Sequence, residues 1–195
     1  MALSVDPQAT TADVDTGGPL LSVADLRVTA RRGEREITLV DGVSFELDAG
    51  RTVGLVGESG SGKTLTALSV IQHLPVSLRS AGGTVSFGGR DLTALSPAEL
   101  REVRGNDIGV IFQDPLASFD PSFTVGSQMV ETIRSHTSLS RSAARELSVS
   151  LLDRVGIPQP DRRMRDYAHQ LSGGMAQRVM IAMAISCRPR LLIAD

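Results

Sequence analysis

The stretch Thr52 to Thr64, TVGLVGESGSGKT, limits what this chain can fold into more than any other. Thr52-Val53-Gly54-Leu55-Val56 has no polar face, which predicts a parallel strand buried on both sides. It runs directly into Gly57-Glu58-Ser59-Gly60-Ser61-Gly62-Lys63-Thr64, which satisfies the pattern GxxxxGK[ST] at every specified position. After the loop, Leu65, Leu68, Ile71 and Leu74 recur at helical spacing, predicting a helix from Lys63 to Leu74 that Pro75 ends. A glycine-rich turn between a buried strand and a helix lets successive amide hydrogens converge on phosphate oxygens at the positive end of the helix. Lys63 adds a mobile charge for the terminal phosphates, and the Thr64 hydroxyl can enter the shell of a magnesium ion. A Gly-Ser surface turn with an exposed lysine is the plain alternative. The strand before and the helix after argue instead for a bound nucleoside triphosphate.

The rest of the chain organises around this unit. LLSVADLRVTA and ITLVDGVSFEL alternate as half-buried strands, separated by the charged turn RRGERE. GTVSFGG predicts another short strand, followed by a helix that Ser96 caps, with Pro97 at its first position, Glu99 completing a capping box and Gly105 closing the far end. Ile108 to Phe112 reads as a buried strand. Two helices follow, near Val125 to His136 and from Arg141 to Val155; the second carries Ala144, Leu147, Leu151, Leu152 and Val155 on one face and stops at Gly156 and Pro158. Met175 to Ser186 is an almost wholly apolar helix leading into Leu191 to Asp195, LLIAD, where four apolar residues read as a strand entering a buried sheet. This order predicts an α/β core interrupted by a helical insertion. A phosphate-loop site holds its magnesium between the loop hydroxyl and an acidic residue at the end of a neighbouring buried strand, and Asp195 is placed to be that residue.

Composition narrows the partners. With 195 residues, 41% hydrophobic and 22% charged, the chain suits a globular domain with a sizeable core. A net charge of -2, no Trp, one Tyr and five Phe argue against a basic groove or a stacking platform for nucleic acid. Cys187 is the only cysteine, which excludes an internal disulfide and a cysteine-based metal cage and is compatible with a reducing cytosol. No apolar run approaches the roughly 20 residues needed to span a bilayer. The first residues carry Asp6, Asp13 and Asp15 without Lys or Arg, unlike a signal peptide, so residues 1–19 are expected to form a flexible tail.

The segment Leu171-Ser172-Gly173-Gly174-Met175-Ala176-Gln177-Arg178 resembles the LSGGQ-like signature of ABC transporter nucleotide-binding subunits, with Met175 where many members have glutamine. An isolated SGG before a helix would be a mere cap and turn. Here it comes in the family's order after the phosphate loop and Phe112-Gln113-Asp114-Pro115, and before the acidic strand. Val56 to Lys63, Phe112 to Pro115 with Thr124-Val125-Gly126, and His169 to Met175 are most similar to the oligopeptide, dipeptide and nickel importer branch. The resemblance covers residues 20–195. It implies a P-loop NTPase (RecA-like) α/β core with an N-terminal antiparallel β subdomain and an inserted α-helical subdomain over about residues 114–172, incomplete at the C-terminus.

It also implies the site. ATP would contact Gly57, Glu58, Ser59, Gly60, Ser61, Gly62, Lys63, Thr64 and Thr66 on one subunit, and Ser172, Gly173, Gly174 and Gln177 on a partner packed head to tail. Mg2+ would take Thr64, Gln113 and Asp195, and catalysis would rest on Lys63, Gln113 and Asp195. The implied partners are two membrane-spanning permease subunits, a second identical or sister ATP-binding subunit, and indirectly a periplasmic or extracellular substrate-binding protein. The implied place is the cytoplasmic face of the cell membrane, with the insertion around Leu116 to Glu131 transmitting motion to the permeases.

Three departures stand out. Ala30 occupies the expected place of an adenine-stacking aromatic, and Ala168 stands where related sequences often have proline. The family's glutamate after the acidic strand, and a later γ-phosphate histidine, would lie beyond Asp195, so the chain reads as the stub of a longer subunit. Two alternatives follow: a nucleotide-binding module without hydrolysis, or a soluble ABC ATPase of DNA repair or translation. His73, His136 and His169 all precede Asp195 and read as solvated or locally bonded.

Overall fold

The computed structural model describes residues 18–33 and 35–195. Of the expected tail, residues 1–17 lie outside them.

The alternating segments form an antiparallel sheet. β1 (Leu21–Arg32) lies between β2 (Arg35–Leu47) and β3 (Leu78–Phe87), and β4 (Arg90–Asp91) completes the order β2-β1-β3-β4. Leu21, Val23, Leu26 and Val28 of β1 are buried, and the register shifts between Val23 and Leu26 keep the apolar face inward across Asp25, whose φ is 49°. β3 starts at Leu78, ahead of the expected GTVSFGG segment, because Ala30 of β1 pairs with it there.

The phosphate-loop helix is shorter than its apolar spacing predicts. α1 (Lys63–Val70) stops before Ile71 and Leu74. Gln72 adopts φ 52°, its amide donates to the Ser69 carbonyl and the His73 amide donates to the Leu68 carbonyl. This left-handed termination ends the helix ahead of Pro75. α2 (Pro97–Asn106) carries the expected capping box of Ser96 and Glu99, and Gly105 closes it at φ 82°.

β5 (Ile108–Ile111) and β6 (Leu191–Ala194) pair in parallel, Ile108 opposite Leu191 and Ile111 opposite Ala194. Two expectations are corrected around them. Residues 52–56 are exposed, with Val53 and Leu55 each at 42% and Val56 at 98%, and are not a strand. A strand exists only with a hydrogen-bonding neighbour. A cavity of about 390 Å³, lined by Val53, Gly54, Leu55 and residues 191–195, lies between this segment and β6. For the same reason only Leu191 of LLIAD is buried, and Leu192 is 45% exposed.

The stretch expected to hold the insertion contains α3 (Val125–His136), α4 (Arg141–Arg154) and α5 (Pro160–Arg163), and α6 (Gly173–Ala184), which begins just past its expected end at about residue 172, packs on α3 and α4. Thr124, Ser140 and Ser172 cap three of these helices through their hydroxyls. The Ser172 cap starts α6 at Gly173, two residues before the first apolar position on which the sequence reading relied. Val125, Met129, Ile133, Ala144, Leu152, Ala176 and Val179 form the core that α3, α4 and α6 share. A second core joins β1, β3, α1, β5 and β6 through Val23, Leu26, Val70, Val85, Ile108 and Leu191. Among the described residues no helix is long and apolar enough to cross a membrane.

Two outcomes follow from this packing. Leu152 is fully buried, so Leu152→Ala should cost about 2–5 kcal/mol in urea denaturation. The hydrogen bonds from Ser96, side chain first and then backbone, hold the Glu99 carboxyl below the usual glutamate range. The contribution of that cap is therefore present above the ordinary glutamate pKa and is lost as pH falls through the lowered folded value. NMR titration of the Ser96 amide should show the cap releasing only in that acid window.

Candidate functional site

The turn from residue 57 to Thr64 is built by glycines at two positions. Gly60 and Gly62 have φ of 80° and 94°, conformations that a side chain resists. At Gly62 a Cβ would also approach Val40 Cγ2 to 3.1 Å and the Leu39 carbonyl to 3.2 Å, so β2 buttresses the loop. No local pattern announces that support, because Leu39 and Val40 read only as alternating strand residues.

Lys63 Nζ donates to the carbonyls of Gly57 and Glu58, each at 2.8 Å, and so gathers the loop around one cation. Thr66 is buried, and its hydroxyl donates to the Gly62 carbonyl at 3.0 Å, supporting the first turn of α1 from inside. Glu58, Ser59 and Ser61 are exposed.

The structure brings Thr64 and Asp195 together across the chain. Thr64 Oγ1 donates to Asp195 Oδ1 at 3.0 Å. The Asp195 amide donates to the Ile111 carbonyl at 2.9 Å, which carries the parallel register one residue beyond β6. Gln113, two residues after Ile111, therefore leaves its strand at the same end as Asp195, and it is exposed. A hydroxyl and a carboxylate form a small, hard oxygen set. Among the described residues no group of three or more His, Cys, Asp or Glu could cage a metal alone. This set fits magnesium, which takes one or two protein oxygens and completes its shell with phosphate and water.

Ser172, Gly173, Gly174 and Gln177 form a second group on the opening turns of α6, which packs on α3, α4 and β5. Ser172 Oγ accepts from the Met175 amide at 3.3 Å, and all four residues are exposed. A Cβ placed on Gly173 or Gly174 would meet nothing within 4 Å, and neither residue has a positive φ. The packing of the described residues therefore does not require glycine at either position.

The remaining expectations find ordinary places. Ala30 pairs with Ile37 on one side and Leu78 on the other, inside β1. His169 stacks on Tyr167 at 5.6 Å, and His73 is exposed. Cys187 is half-buried, and burial pushes its thiol up, as suits a packing residue.

Comparison with known proteins identifies the family and the fold. The model of the ABC transporter family matches residues 40–195. The oligopeptide transport ATP-binding protein OppD of Escherichia coli is 47% identical over 176 residues, covering 90% of this chain and 52% of that protein. OppD of Bacillus subtilis is 44% identical over 177 residues, covering 90% and 49%. A dimeric structure of a post-hydrolysis state of the ATP-binding cassette MJ0796, bound to ADP and Pi, superposes with a TM-score of 0.79 at 24% identity, covering 90% of this chain and 73% of that one. The fold is thus the α/β fold of an ATP-binding cassette, and the chain belongs to the ABC transporter family. It spans about half the length of the curated relatives it matches.

Because Gly174 lies in the first turn of a helix with open space around it, Gly174→Ala should leave thermal stability unchanged or raise it by up to ~1 kcal/mol. Calorimetric unfolding of the two proteins checks this.

Proposed function

We propose that this chain belongs to an ATP-hydrolysing subunit that powers import of peptides, of the oligopeptide or dipeptide kind, or of nickel, through an ABC transporter. The observation that carries the reading is the hydrogen bond between Thr64 and Asp195, which sets a carboxylate beside the hydroxyl at the end of the phosphate loop. The peptide-transport relatives support the choice of substrate class.

The loop amides and Lys63 hold the phosphates of ATP, while Thr64 and Asp195 hold Mg2+. When bound, the ion supplies neutralising charge to the phosphate oxygens. Gln113, leaving β5 beside Asp195, orients the attacking water or senses the metal. Lys63 ties the loop through the Gly57 and Glu58 carbonyls, so it takes up no loop amide that could meet phosphate oxygens.

The open glycines of α6 support a role in a second subunit's site. Ser172, Gly173, Gly174 and Gln177 close over the ATP held by an identical or sister subunit, and the absence of side chains lets phosphate approach the helix N-terminus. The segment from Leu116 to Glu131 meets two membrane-spanning permease subunits at the cytoplasmic face of the cell membrane, and a substrate-binding protein acts through them.

The test is ATP turnover by the complete subunit assembled with its permeases. Added peptide substrate should raise turnover, and Lys63→Ala should lower kcat/KM about a hundredfold or more. Gly174→Ala should lower turnover while leaving nucleotide binding to the separate subunit unchanged. Wild-type complex that consumes no ATP with substrate present would overturn the proposal.

A further inference from the structure

α1 has only eight residues, with no basic residue in its last turn. The carbonyls at a helix C-terminus lack intrahelical partners and sit at the negative end of the helix dipole. In this chain the missing cation comes from another element. Arg104 Nε donates to the Ile71 carbonyl at 2.7 Å, and its Nη2 donates to the Gln72 carbonyl.

Arg104 can reach them because α2 breaks there, with ψ 128° at Arg104 and φ 82° at Gly105. The break is held from the other side by the insertion: a Cβ on Gly105 would lie 2.5 Å from His136 Nε2, at the end of α3. Arg104 also bridges to Ile108, the first residue of β5. Desolvation disfavours the guanidinium charge, and the two carbonyl acceptors offset that cost. One residue therefore ties the far end of the phosphate-loop helix, through its side chain, to the lead-in of the strand that delivers Gln113, through its backbone.

We propose that Arg104 is a positioning residue for ATP hydrolysis: it anchors the C-terminal end of α1 to the start of β5, and so holds Lys63 and Thr64 in register with Gln113. This rests on the ATPase reading above. Phosphate binding depends on the local loop backbone, whereas the relation between α1 and Gln113 depends on the anchor. Its loss should therefore act on turnover more than on nucleotide capture.

The experiment measures kcat and KM for ATP in the complete subunit within its transporter, together with amide exchange over residues 68–73. Arg104→Ala should lower kcat about tenfold or more with KM for ATP within about threefold of wild type. Arg104→Lys should recover part of the loss, because an ammonium can donate to the same carbonyls without the planar fork. The His73 amide, bonded to the Leu68 carbonyl, should exchange faster in Arg104→Ala. If Arg104→Ala does not fold, Arg104→Lys should still show a smaller fall in kcat at constant KM and faster exchange at His73.

Unchanged kcat in a folded Arg104 variant, or unchanged exchange at His73, overturns the inference. So does a drop in melting temperature alone, the mark of a merely structural contact. A wild-type complex without ATP turnover refutes the ATPase reading instead, and the exchange measurement then still decides whether Arg104 anchors α1.

Discussion

The parallel pairing of β5 with β6 is the constraint on which the candidate site depends. Parallel strands direct their C-terminal ends the same way, so Gln113 and Asp195 leave the sheet together although 82 positions separate them in the chain numbering. The bond from the Asp195 amide to the Ile111 carbonyl extends that register by one residue and aims the carboxylate at Thr64. Had either strand slipped by one residue, Asp195 would face the other side of the sheet.

The two halves of the site are built on different logics. The phosphate loop is tied down from within: Lys63 grips its carbonyls, Thr66 braces its first turn, and β2 fills the space beneath Gly62. The opening of α6 is the opposite. Its serine caps the helix, yet its two glycines face space that none of the described residues occupies. A closed loop and an open helix end make sense together if each completes itself on a different copy, which is the arrangement the ABC resemblance implies.

What could be read from the sequence was mostly what neighbouring residues decide among themselves. The Ser96 and Glu99 capping box, the bounds of α3 and the start of α4 follow from hydroxyl caps and apolar spacing within a few residues. The phosphate loop was legible because its glycines answer to local backbone geometry. The failures were non-local. Residues 52–56 look like a strand because their composition suits one, but strand character depends on a partner, and a cavity lies where one would pair. The end of α1 was misplaced because Gln72, a residue with no particular liking for φ 52°, makes the turn with its carbonyl held by Arg104, 32 residues away. The buttress of Leu39 and Val40 beneath Gly62 was equally invisible.

The Thr64 to Asp195 bond spans 131 positions, and this has a consequence for biosynthesis. The antiparallel sheet joins β1 to β2 through a short connection and can pair while later residues are still being made. The phosphate loop emerges soon afterwards, but its acidic counterpart does not exist until the ribosome has added residue 195. The bond between Thr64 and Asp195 therefore forms only after α3 to α6 have been made. Over that interval, the loop relies on Lys63 and on β2 to keep its shape.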